Sequence, residues 1–412
     1  MALNFILNFV FDIIDNSFEV INMRIAIVGG GASGVLAGIL LKMYRPEYEV
    51  TIYEQNDRVL KKLLSTGNGM CNFDNINSND ANNYNNELIK DLINKYDYKF
   101  IVSLFKELGI ASFIDDEGRI YPYSRKASNV VTILMANLKL YNVNVRCNEL
   151  VYDVRIVNNK YYINNSEYDI CIFACGGCAS INYDYNFKDI CRSLGLNWIR
   201  NYPSLTALKV KENVKAMSGL RLKGNVSYYR GTKEDLKLIE RRNGEILFKD
   251  DGLSGIVMFE LSRNYDPKYI NKVKIDLFDC LNNKELEDMI QTNYHKFLSL
   301  PDALIGLVPK MVGLDVIKRE NNDIRNIANC LKNYEFSIIG LYDYNYAQVM
   351  RGGLDLKELD INSFESLKYK DLYFIGEGVD IDGTCGGFNL HFAWVSAICA
   401  VKNILKIKRG QE

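Results

Sequence analysis

The chain has 412 residues, which at about 100 to 200 residues per domain predicts two or three domains. Hydrophobic residues make up 48% and charged residues 25%, a balance that is typical of soluble globular proteins and excludes a disordered or fibrous chain. The 50 Lys and Arg residues nearly balance the 51 Asp and Glu residues, so the overall charge does not favour a polyanionic partner and no nucleic acid is expected.

The N-terminal residues and the cysteines bear on location. Residues 5–14 are apolar like a targeting segment, but no basic region precedes them, Asp12 and Asp15 break the run, and about 20 apolar residues are needed to cross a bilayer. We interpret residues 1–22 as a non-essential extension before a start at Met23, with a membrane-surface or partner helix as the alternative. The ten scattered cysteines favour reduced thiols in the cytoplasm over a disulfide framework, and no membrane span is predicted.

The first elements form a β-turn-α-β unit. A β-branched run at residues 24–28 ends in glycines, an apolar helix covers 33–44, and a second strand covers 49–53. Between the first strand and the helix stands G-x-G-x-x-G, in which Gly29 permits the tight turn, Gly31 lets the backbone approach a pyrophosphate, and Gly34 allows close packing. The helix N-terminus would supply free N–H donors to the anion.

An acid completes this dinucleotide pattern. Glu54 follows the second strand, twenty residues after Gly34, where a carboxylate would accept hydrogen bonds from ribose hydroxyls. A glycine-rich structural turn with a chance acid is the alternative. The unit alone does not separate FAD from NAD or NADP.

Further along, helical spacing predicts helices over residues 87–109, ending at Gly109, and over 130–141. Strands are expected at 143–146, within 151–163, and as a buried run at 168–174. The Asn-rich residues 75–86 are interpreted as a solvated loop.

The pattern of predicted secondary structure changes between residues 195 and 341. Short strands with turns at 219–229 and 243–248 and helical stretches around 284–300 indicate an inserted β-rich domain with a helical part. A short apolar strand at 372–375 and an apolar helix at 388–405 follow it.

Three further segments carry a resemblance to a known family. Residues 62–72 read K-L-L-S-T-G-N-G-M-C-N, residues 244–255 run from Gly-Glu-Ile-Leu-Phe to Gly-Leu-Ser-Gly, and residues 372–390 contain Gly-Glu, Asp-Ile-Asp-Gly and Gly-Gly-Phe-Asn-Leu. With the glycine turn they cover residues 23 to about 400 in order. The chain resembles the bacterial NAD(P)/FAD-dependent oxidoreductases called "aminoacetone oxidase family" flavoproteins, which have a proposed reductase of 3-oxo bile-acid alkenes among their relatives.

The resemblance implies an α/β fold. Residues 23–195 and 341–412 would form a discontinuous Rossmann-type FAD-binding domain. Residues 196–340 would form an inserted, barrel-like β-rich domain with a small helical part, acting as a substrate or cap domain.

The resemblance also implies roles for individual residues. Glu54 would hold the adenosine ribose, Val151 would offer backbone contacts to adenine, and Glu377 would reach the ribityl or phosphate region. Lys62 and residues 67–72 would line the cofactor, and the backbone of 387–390 would meet the pyrimidine edge of the flavin. The expected cofactor-binding residues are Gly29, Gly31, Ser33, Gly34, Glu54, Gln55, Lys62, Gly67, Asn68, Gly69, Cys71, Asn72, Val151, Gly376, Glu377, Asp382, Gly387, Phe388, Asn389 and Leu390.

Electrostatics independently supports the expected contact between the backbone of 387–390 and the flavin. Gly386 and Gly387 precede an apolar helix, whose positive N-terminus could face the place where a reduced flavin carries charge. Such a terminus contributes about 0.3 to 2 kcal/mol, which shifts a two-electron potential by roughly 10 to 40 mV. This interaction tunes the flavin without determining its reaction.

The chain departs from the family pattern at several positions. Met70 stands where Arg is usual, Cys175 where Thr is usual, and His391-Phe392 where Gln-Trp is frequent. Replacing the arginine removes a hydrogen-bond donor and a positive charge near the cofactor or the substrate.

Other candidate groups have alternative interpretations. Cys171, Cys175 and Cys178 are read as buried or incidental thiols, with a redox pair or a metal site as alternatives; no metal is predicted. Cys71 and His391 are the candidate catalytic residues. Packing is favoured over a nucleophilic role for Cys71, and packing over proton donation near the ring for His391. The basic residues of the insertion are interpreted as a solvated face: Lys223, Arg230, Arg241 and Arg242.

The sequence therefore predicts an FAD-dependent oxidoreductase. Bound flavin would exchange a hydride with a small organic substrate such as an activated alkene or an amine, with NADH or NADPH as a transient donor. An RNA-modifying flavoenzyme and a non-catalytic flavin-binding protein are the alternatives, and the oligomeric state stays open.

Overall fold

A computed structural model describes residues 22–179 and 186–407. The extension predicted for residues 1–22 lies outside the described residues except for Asn22. The described chain forms two compact units, of which the first contains residues 22–179, 186–202 and 349–407, and the second contains residues 203–348.

The N-terminal part of the first unit alternates strands and helices. Its elements are β1 (Arg24–Val28), α1 (Ala32–Tyr44), β2 (Glu49–Tyr53), β3 (Asp74–Asn75), α2 (Lys90–Lys95), α3 (Tyr98–Glu107), β4 (Ser112–Ile114), β5 (Arg119–Pro122), α4 (Ala127–Leu140), β6 (Asn144–Arg146), β7 (Val154–Val157), β8 (Lys160–Ile163), β9 (Ser166–Tyr168), β10 (Ile170–Phe173), α5 (Phe187–Ser193) and β11 (Trp198–Ser204).

The second unit is richer in antiparallel strands, and the chain then returns to the first unit. The second unit contains β12 (Leu208–Val210), β13 (Arg221–Gly231), β14 (Leu236–Phe248), β15 (Gly252–Ser254), α6 (Ile256–Ser262), β16 (Ile270–Asp276), α7 (Asn283–Phe297), α8 (Leu300–Ile305), α9 (Lys310–Arg319), α10 (Ile324–Lys332) and β17 (Tyr334–Leu341). The returning segment adds β18 (Val349–Leu354), β19 (Leu359–Asp360), β20 (Glu365–Ser366), β21 (Leu372–Phe374) and α11 (Phe388–Ile407).

A seven-stranded sheet in the order β19-β20-β21-β10-β1-β2-β6 forms the centre of the first unit. The five strands from β21 to β6 are parallel. The residues of β21, β10, β1 and β2 are mostly apolar and buried, as expected for strands covered on both faces, whereas β6 at the edge is more exposed. The carboxyl ends of parallel strands lie at one edge. The loops after β1, β2, β10 and β21 therefore leave the sheet on the same side, which is where ligands bind in open α/β sheets.

The second unit is built on a closed barrel in the order β12-β15-β14-β13-β16-β17, with antiparallel neighbours throughout. Val226 and Tyr228 on β13 alternate with more exposed residues and point into its core, as does Phe336 on β17. Leu286 and Ile290 of α7 join the same core. A Rossmann-type α/β fold with an inserted barrel and a helical part is therefore confirmed.

The unit junctions differ from the predicted boundaries at 195/196 and 340/341. They lie at 202/203 and 348/349. β11 pairs with β18 of the first unit, which keeps residues up to 202 with that unit. At the other junction β17 continues to Leu341, and the Tyr342 N–H still donates to the Ala207 carbonyl beside β12 (2.9 Å). The role of the insertion as a substrate or cap domain stays a prediction.

The predicted helix over residues 87–109 is split in two. α2 ends at Lys95 and α3 begins at Tyr98, because the Asp97 side chain accepts hydrogen bonds from the backbone N–H groups of Lys99 (3.0 Å) and Phe100 (3.1 Å). An N-cap of this kind starts a new helix at the point where the apolar spacing continues.

The interpretation of residues 75–86 as a solvated loop is wrong for three of the twelve residues. Asn75, Ser78 and Tyr84 are buried, and Tyr84 forms a β-bridge with Gly383. Asn75 is tied to a distant segment, because its side chain donates to the Gly386 carbonyl (3.0 Å). The Asn85 side chain accepts from the Asp382 N–H (2.9 Å) although Asn85 itself is exposed.

Helix α11 is long and apolar. Its residues Phe388–Lys406 would suffice in length and composition to cross a membrane, but 78% of the most apolar stretch is buried inside the fold. This is the placement of a core helix, and α11 packs against α1.

Candidate active site

The glycine turn after β1 has the close approaches that its sequence predicts. A Cβ on Gly29 would come within 2.3 Å of the Ala174 carbonyl oxygen, and one on Gly34 within 2.1 Å of the Gly29 oxygen, so larger residues do not fit at either position. A Cβ on Gly31 would meet nothing within 4 Å, so there is open space beside that residue.

The N-terminus of α1 opens onto this turn. No side chain caps the helix and no acidic residue stands in its first turn. Its first N–H groups therefore remain available to an anion, whose charge the helix dipole would also favour. The turn and the helix start together have the shape and the donors of a pyrophosphate site.

Glu54 is held rigidly at the end of β2 and is 8% exposed. Its Oε2 accepts from the Gly30 N–H (3.0 Å), and its Oε1 accepts from the backbone N–H (2.8 Å) and side-chain amide (2.6 Å) of Asn56. An ionised carboxylate has about four lone-pair sites, so the oriented group can still accept from ribose hydroxyls. Gln55 beside it is half-buried.

Val151 lies close to this acid in the fold. The Glu149 N–H donates to the Glu54 carbonyl (3.0 Å), which brings the chain before Val151 against the end of β2. The Val151 carbonyl already accepts from the Asn186 side chain (2.9 Å), so that oxygen is less free to contact adenine than the sequence suggests.

An ion pair joins two of the sequence-predicted segments. Lys62 Nζ lies 2.7 Å from Glu377 Oε2, and Glu377 Oε1 accepts from the Met350 N–H (2.8 Å). A Cβ on Gly376 would come within 2.5 Å of Ser33 Oγ, so the start of α1 and the segment after β21 are in contact. The fold therefore gathers residues that are more than 300 positions apart in the chain.

The segment from 62 to 72 begins as a 3-10 helix (Lys62–Gly69) and ends buried. Within it Asn68 is exposed, whereas Gly67 and Gly69 are half-buried. Asn72 is 9% exposed, and its Oδ1 accepts no hydrogen bond from any described residue. A buried acceptor without a donor is costly, so this atom fits a ligand that supplies an N–H or O–H group.

Cys71 and His391, the two candidate catalytic residues, are both fully buried. Burial raises the pKa of the Cys71 thiol to about 12, so the group stays neutral near pH 7 and a nucleophilic role is not supported. His391 Nδ1 lies 3.0 Å from Asp74 Oδ1, although the geometry falls short of a hydrogen bond. Direct proton donation from His391 to a substrate is likewise not supported.

The turn before α11 is clamped by the Asn-rich segment. A Cβ on Gly387 would come within 2.4 Å of the Asp74 carbonyl oxygen, and the Asn75 side chain donates to the Gly386 carbonyl (3.0 Å). The Asn389 side chain closes the turn from the other direction by accepting from the Gly383 N–H (2.8 Å). Phe388 is buried, Leu390 is half-buried, and Asp382 is buried beside the turn.

Asp380 is a functional candidate that the sequence interpretation passed over, although it lies within one of the quoted motifs. Burial and then the nearby Asp382 raise its pKa to about 6, and its Oδ1 accepts from the Gly352 N–H (3.0 Å). Perturbed carboxyl groups cluster at functional sites. The sequence did not indicate that Asp380 is partly buried, because residues 380–383 contain two aspartates.

The neighbouring cysteines have separate surroundings. The Cys175 thiol donates to the Val28 carbonyl (3.5 Å), whereas Cys178 Sγ lies 3.4 Å from Met350 Sδ. All ten cysteines are free thiols in the described chain. Because the two thiols contact different groups, these contacts favour the interpretation of Cys175 and Cys178 as incidental thiols.

These observations fit FAD as the bound group. The open space beside Gly31, the uncapped α1 and the fixed Glu54 suit a dinucleotide. The unpartnered Asn72 oxygen and the clamped glycine turn would suit a second part of the same cofactor.

Known proteins resemble this chain over nearly its whole length. It is 28% identical to the 3-dehydro-bile acid delta(4,6)-reductase of Clostridium scindens, over 92% of this chain and 98% of that protein. It is 26% identical to the ribosomal RNA dihydrouridine synthase of Haemophilus influenzae, over 92% and 97% respectively. Among solved structures, Escherichia coli quinol fumarate reductase FrdA is 11% identical with a TM-score of 0.48, covering 95% of this chain and 71% of that one.

The family match extends over residues 23–403, which correspond to the model described as HI0933-like protein Rossmann domain. The span includes the glycine turn, the insertion and the turn before α11. The chain therefore belongs to the HI0933-like family of FAD-binding Rossmann proteins, the FAD-dependent oxidoreductases that its motifs resemble.

Proposed function

We propose that the protein uses bound FAD to reduce a carbon–carbon double bond conjugated to a carbonyl group in a small organic substrate. NADH or NADPH would be the electron donor and would visit the flavin transiently, since the chain carries one dinucleotide fingerprint. The observation that carries the proposal is that the first unit holds both the uncapped α1 turn and the clamped Gly386–Gly387 turn. Together the two turns would supply binding groups for both ends of FAD.

The two full-length relatives support an alkene over an amine. A delta(4,6)-reductase acts on double bonds, and a dihydrouridine synthase yields a pyrimidine with one ring double bond saturated. Both printed activities therefore amount to the reduction of a carbon–carbon double bond. We extend the common chemistry to this chain, and leave the identity of the natural alkene to experiment.

FAD, when bound, would supply two-electron hydride chemistry. The residues of this chain would bind and orient it. Glu54 would accept from ribose hydroxyls, and the free N–H groups at the start of α1 would bind the pyrophosphate. Asn72 Oδ1 would accept a hydrogen bond from the cofactor, and the buried clamp around Gly387 would exclude water from the pyrimidine edge.

The test is an anaerobic half-reaction. The visible spectrum of the purified protein is recorded before and after adding NADH and then NADPH, followed by a 3-oxo-4-ene steroid as a model conjugated enone. We expect flavin bands that bleach with one nucleotide and return with the enone. A saturated 3-oxo steroid is the matched control and should not restore the bands.

Three outcomes would contradict the proposal. Flavin bands that neither nucleotide bleaches would remove the reductase function, and a protein that stays colourless after incubation with FAD would remove the cofactor itself. Bands that bleach but do not return with any conjugated enone would leave a nucleotide-dependent flavoenzyme with a different acceptor.

An RNA substrate is the second class that the relatives raise. Two of the four basic residues named in the insertion are held by neighbours within it: Arg242 pairs with Glu240 (2.6 Å) and Glu260 (3.5 Å), and Arg230 donates to the Asn264 carbonyl (2.9 Å). Nucleic-acid binding relies on accessible cations and weakens steeply with salt. Retention of ribosomal RNA on a filter at low salt and its loss at high salt would favour the RNA substrate.

We also propose a cytoplasmic location, which the ten free thiols of the described chain support.

A further inference from the structure

A row of aromatic rings lies on the paired strands β4 and β5 of the first unit. Phe113 and Tyr121 stand opposite each other on the two strands, and their rings stack with 5.9 Å between centroids. Tyr123 adds a third ring, 5.8 Å from that of Phe113. Tyr123 is 69% exposed whereas Tyr121 is 7% exposed, so the row leads from the surface to a buried phenol.

The buried end of the row touches the segment that is expected to line the cofactor. A Cβ on Gly67 would meet the Tyr121 ring at 3.4 Å and the Cβ of Asn72 at 3.2 Å, so the ring and Asn72 flank the same glycine. Strand β5 also pairs with β3, whose Asp74 carbonyl oxygen lies against Gly387. Tyr121 is therefore tied to both segments that are proposed to hold the flavin.

The two groups beside Gly67 offer complementary chemistry to a ligand. Asn72 Oδ1 is a buried acceptor that lacks a donor, and the Tyr121 hydroxyl forms no hydrogen bond with any other residue of the described chain. Burial raises the pKa of the Tyr121 phenol, although Arg119 opposes the shift, so the hydroxyl stays protonated near pH 7. A nearly buried donor without a partner fits a ligand that supplies an acceptor oxygen.

The aromatic row also indicates the class of that ligand. Aromatic side chains offer a large apolar surface against which the rings of an organic molecule can pack. Binding sites for small molecules are commonly lined by such side chains, with a small number of polar groups that fix the orientation of the ligand. Three rings that lead from the surface to one phenol hydroxyl therefore suit a cyclic, largely apolar substrate with one carbonyl group.

We propose that the Tyr121 hydroxyl donates a hydrogen bond to the carbonyl oxygen of the conjugated substrate, which makes Tyr121 a catalytic residue. The inference rests on the proposed function, because it assumes an enone that accepts a hydride from the reduced flavin. When the hydride adds to the β-carbon, the electron pair of the double bond moves toward the carbonyl oxygen, and the α-carbon then takes a proton from solvent. The phenol stabilises the negative oxygen and keeps its own proton.

The test compares Tyr121→Phe, which removes only the hydroxyl, with the wild-type protein. The variant keeps the ring packing against Phe113 and Gly67, so the affinity for FAD and the bleaching of the flavin by NADH or NADPH should not change. Reoxidation of the reduced protein by the 3-oxo-4-ene steroid should slow by about a hundredfold to a thousandfold. Reoxidation by ferricyanide, which needs no oriented donor, should keep the wild-type rate.

Equilibrium binding gives a second measurement that does not depend on turnover. The saturated 3-oxo steroid has the same carbonyl group and is not reduced, so its dissociation constant can be measured from the change that it causes in the spectrum of the oxidised flavin. Loss of one neutral hydrogen bond should raise this constant by about threefold to tenfold in Tyr121→Phe. Tyr123→Phe is the matched control, because it removes a hydroxyl from the exposed end of the same row, and it should change neither the rate nor the affinity.

The outcomes separate this inference from the proposed function. Wild-type reoxidation by the enone and wild-type affinity for the saturated steroid in Tyr121→Phe would overturn the role of the hydroxyl, as would equal losses in Tyr123→Phe. Weaker binding of FAD in Tyr121→Phe, with unchanged binding of the steroid, would assign the hydroxyl to the cofactor and overturn its role toward the substrate. If the enone does not reoxidise the wild-type protein, the proposed function fails before any variant is compared, and the inference fails with it.

Discussion

At the scale of the residue, Glu54 is the side chain whose fixed orientation most directly favours a dinucleotide. Replacing it with Gln keeps its size but places an amide against N–H groups of Gly30 and Asn56. Hydrogen bonds to a charged group contribute about 1.5 to 3 kcal/mol each. We expect the dissociation constant of FAD, measured by fluorescence titration of the apoprotein, to rise about tenfold to a hundredfold in Glu54→Gln.

The control for this substitution is a nearby exposed acid. Asp57→Asn removes a carboxylate whose side chain is 69% exposed and pairs with Lys61 at 3.4 Å. The affinity for FAD should be unchanged in this variant. Equal affinities in Glu54→Gln and the wild type would show that the carboxylate does not contact the ribose.

Asp380 gives the stability of the protein a pH dependence. Burial raises its pKa from the usual 3.8 to about 6, so the folded state binds the proton more tightly than the unfolded chain does. The resulting stabilisation is complete below about pH 4 and is lost as the pH rises through 6. Because Asp380 is partly exposed, we expect a loss of about 1 to 2 kcal/mol.

The substitution Asp380→Asn isolates this effect. The variant mimics the protonated side chain and keeps an oxygen for the Gly352 N–H. In urea unfolding curves it should match the wild type near pH 4 and exceed its stability by about 1 to 2 kcal/mol at pH 8. The control is Asp116→Asn, which changes an exposed side chain, and its stability relative to the wild type should be the same at pH 4 and pH 8. If the difference in stability between Asp380→Asn and the wild type is also the same at both pH values, the expected pKa of Asp380 is wrong.

At the scale of the element, the start of α11 depends on one glycine. Gly387 has φ +110°, and a Cβ there would lie 2.4 Å from the Asp74 carbonyl oxygen. Gly387→Ala should therefore combine a left-handed backbone cost of about 1 to 2 kcal/mol with displacement of the turn. We expect a lower unfolding temperature and FAD binding weakened by more than tenfold, measured by fluorescence.

Gly219→Ala separates these two effects. Gly219 has φ +83° in the insertion, with nothing within 4 Å of a Cβ, so its substitution carries the backbone cost without the close contact. This variant should lose stability but retain its affinity for FAD. A similar loss of affinity in both variants would show that the effect is not local to the turn.

The same elements show how far a sequence predicts a site. The β1-α1-β2 unit follows from periodicity and glycine spacing because it is local in the chain. The division at Asp97 was missed because apolar residues keep a helical spacing across it, and only the cap decides where the second helix begins. The burial of Asn75 and the hydrogen bond of Asn85 depend on the turn that starts near Asp382, about 300 residues later, which no local pattern contains.

At the scale of the whole molecule, the order of the motifs predicts the discontinuous Rossmann unit, because parallel strands bring the ends of β1, β2, β10 and β21 to one edge. The junctions of the insertion were placed seven or eight residues early. Strand pairing decides them: β11 pairs with β18, and β17 extends the barrel to Leu341. Such pairings join residues that are distant in sequence, so composition alone does not fix them.

The fold of the first unit brings together segments that are distant in the sequence, so bound FAD should affect several of them at once. Bound FAD should slow amide hydrogen exchange in three separate segments of the first unit, namely residues 29–34, 54–72 and 376–391. A ligand protects the groups that it contacts and stabilises the elements that carry them. Protection should include residues 386–391, because the proposed contact between FAD and the clamped turn would further stabilise that backbone.

The control lies in the same unit. The β7–β9 sheet, residues 154–168, shares the first unit but supplies one of the more exposed surfaces, and its exchange should be unchanged by FAD. Protection confined to residues 29–72 would mean that the cofactor does not reach α11, and the clamped turn would then lose its proposed role. Equal protection across 154–168 would mean that FAD stabilises the unit as a whole, and that the three segments do not mark the binding site.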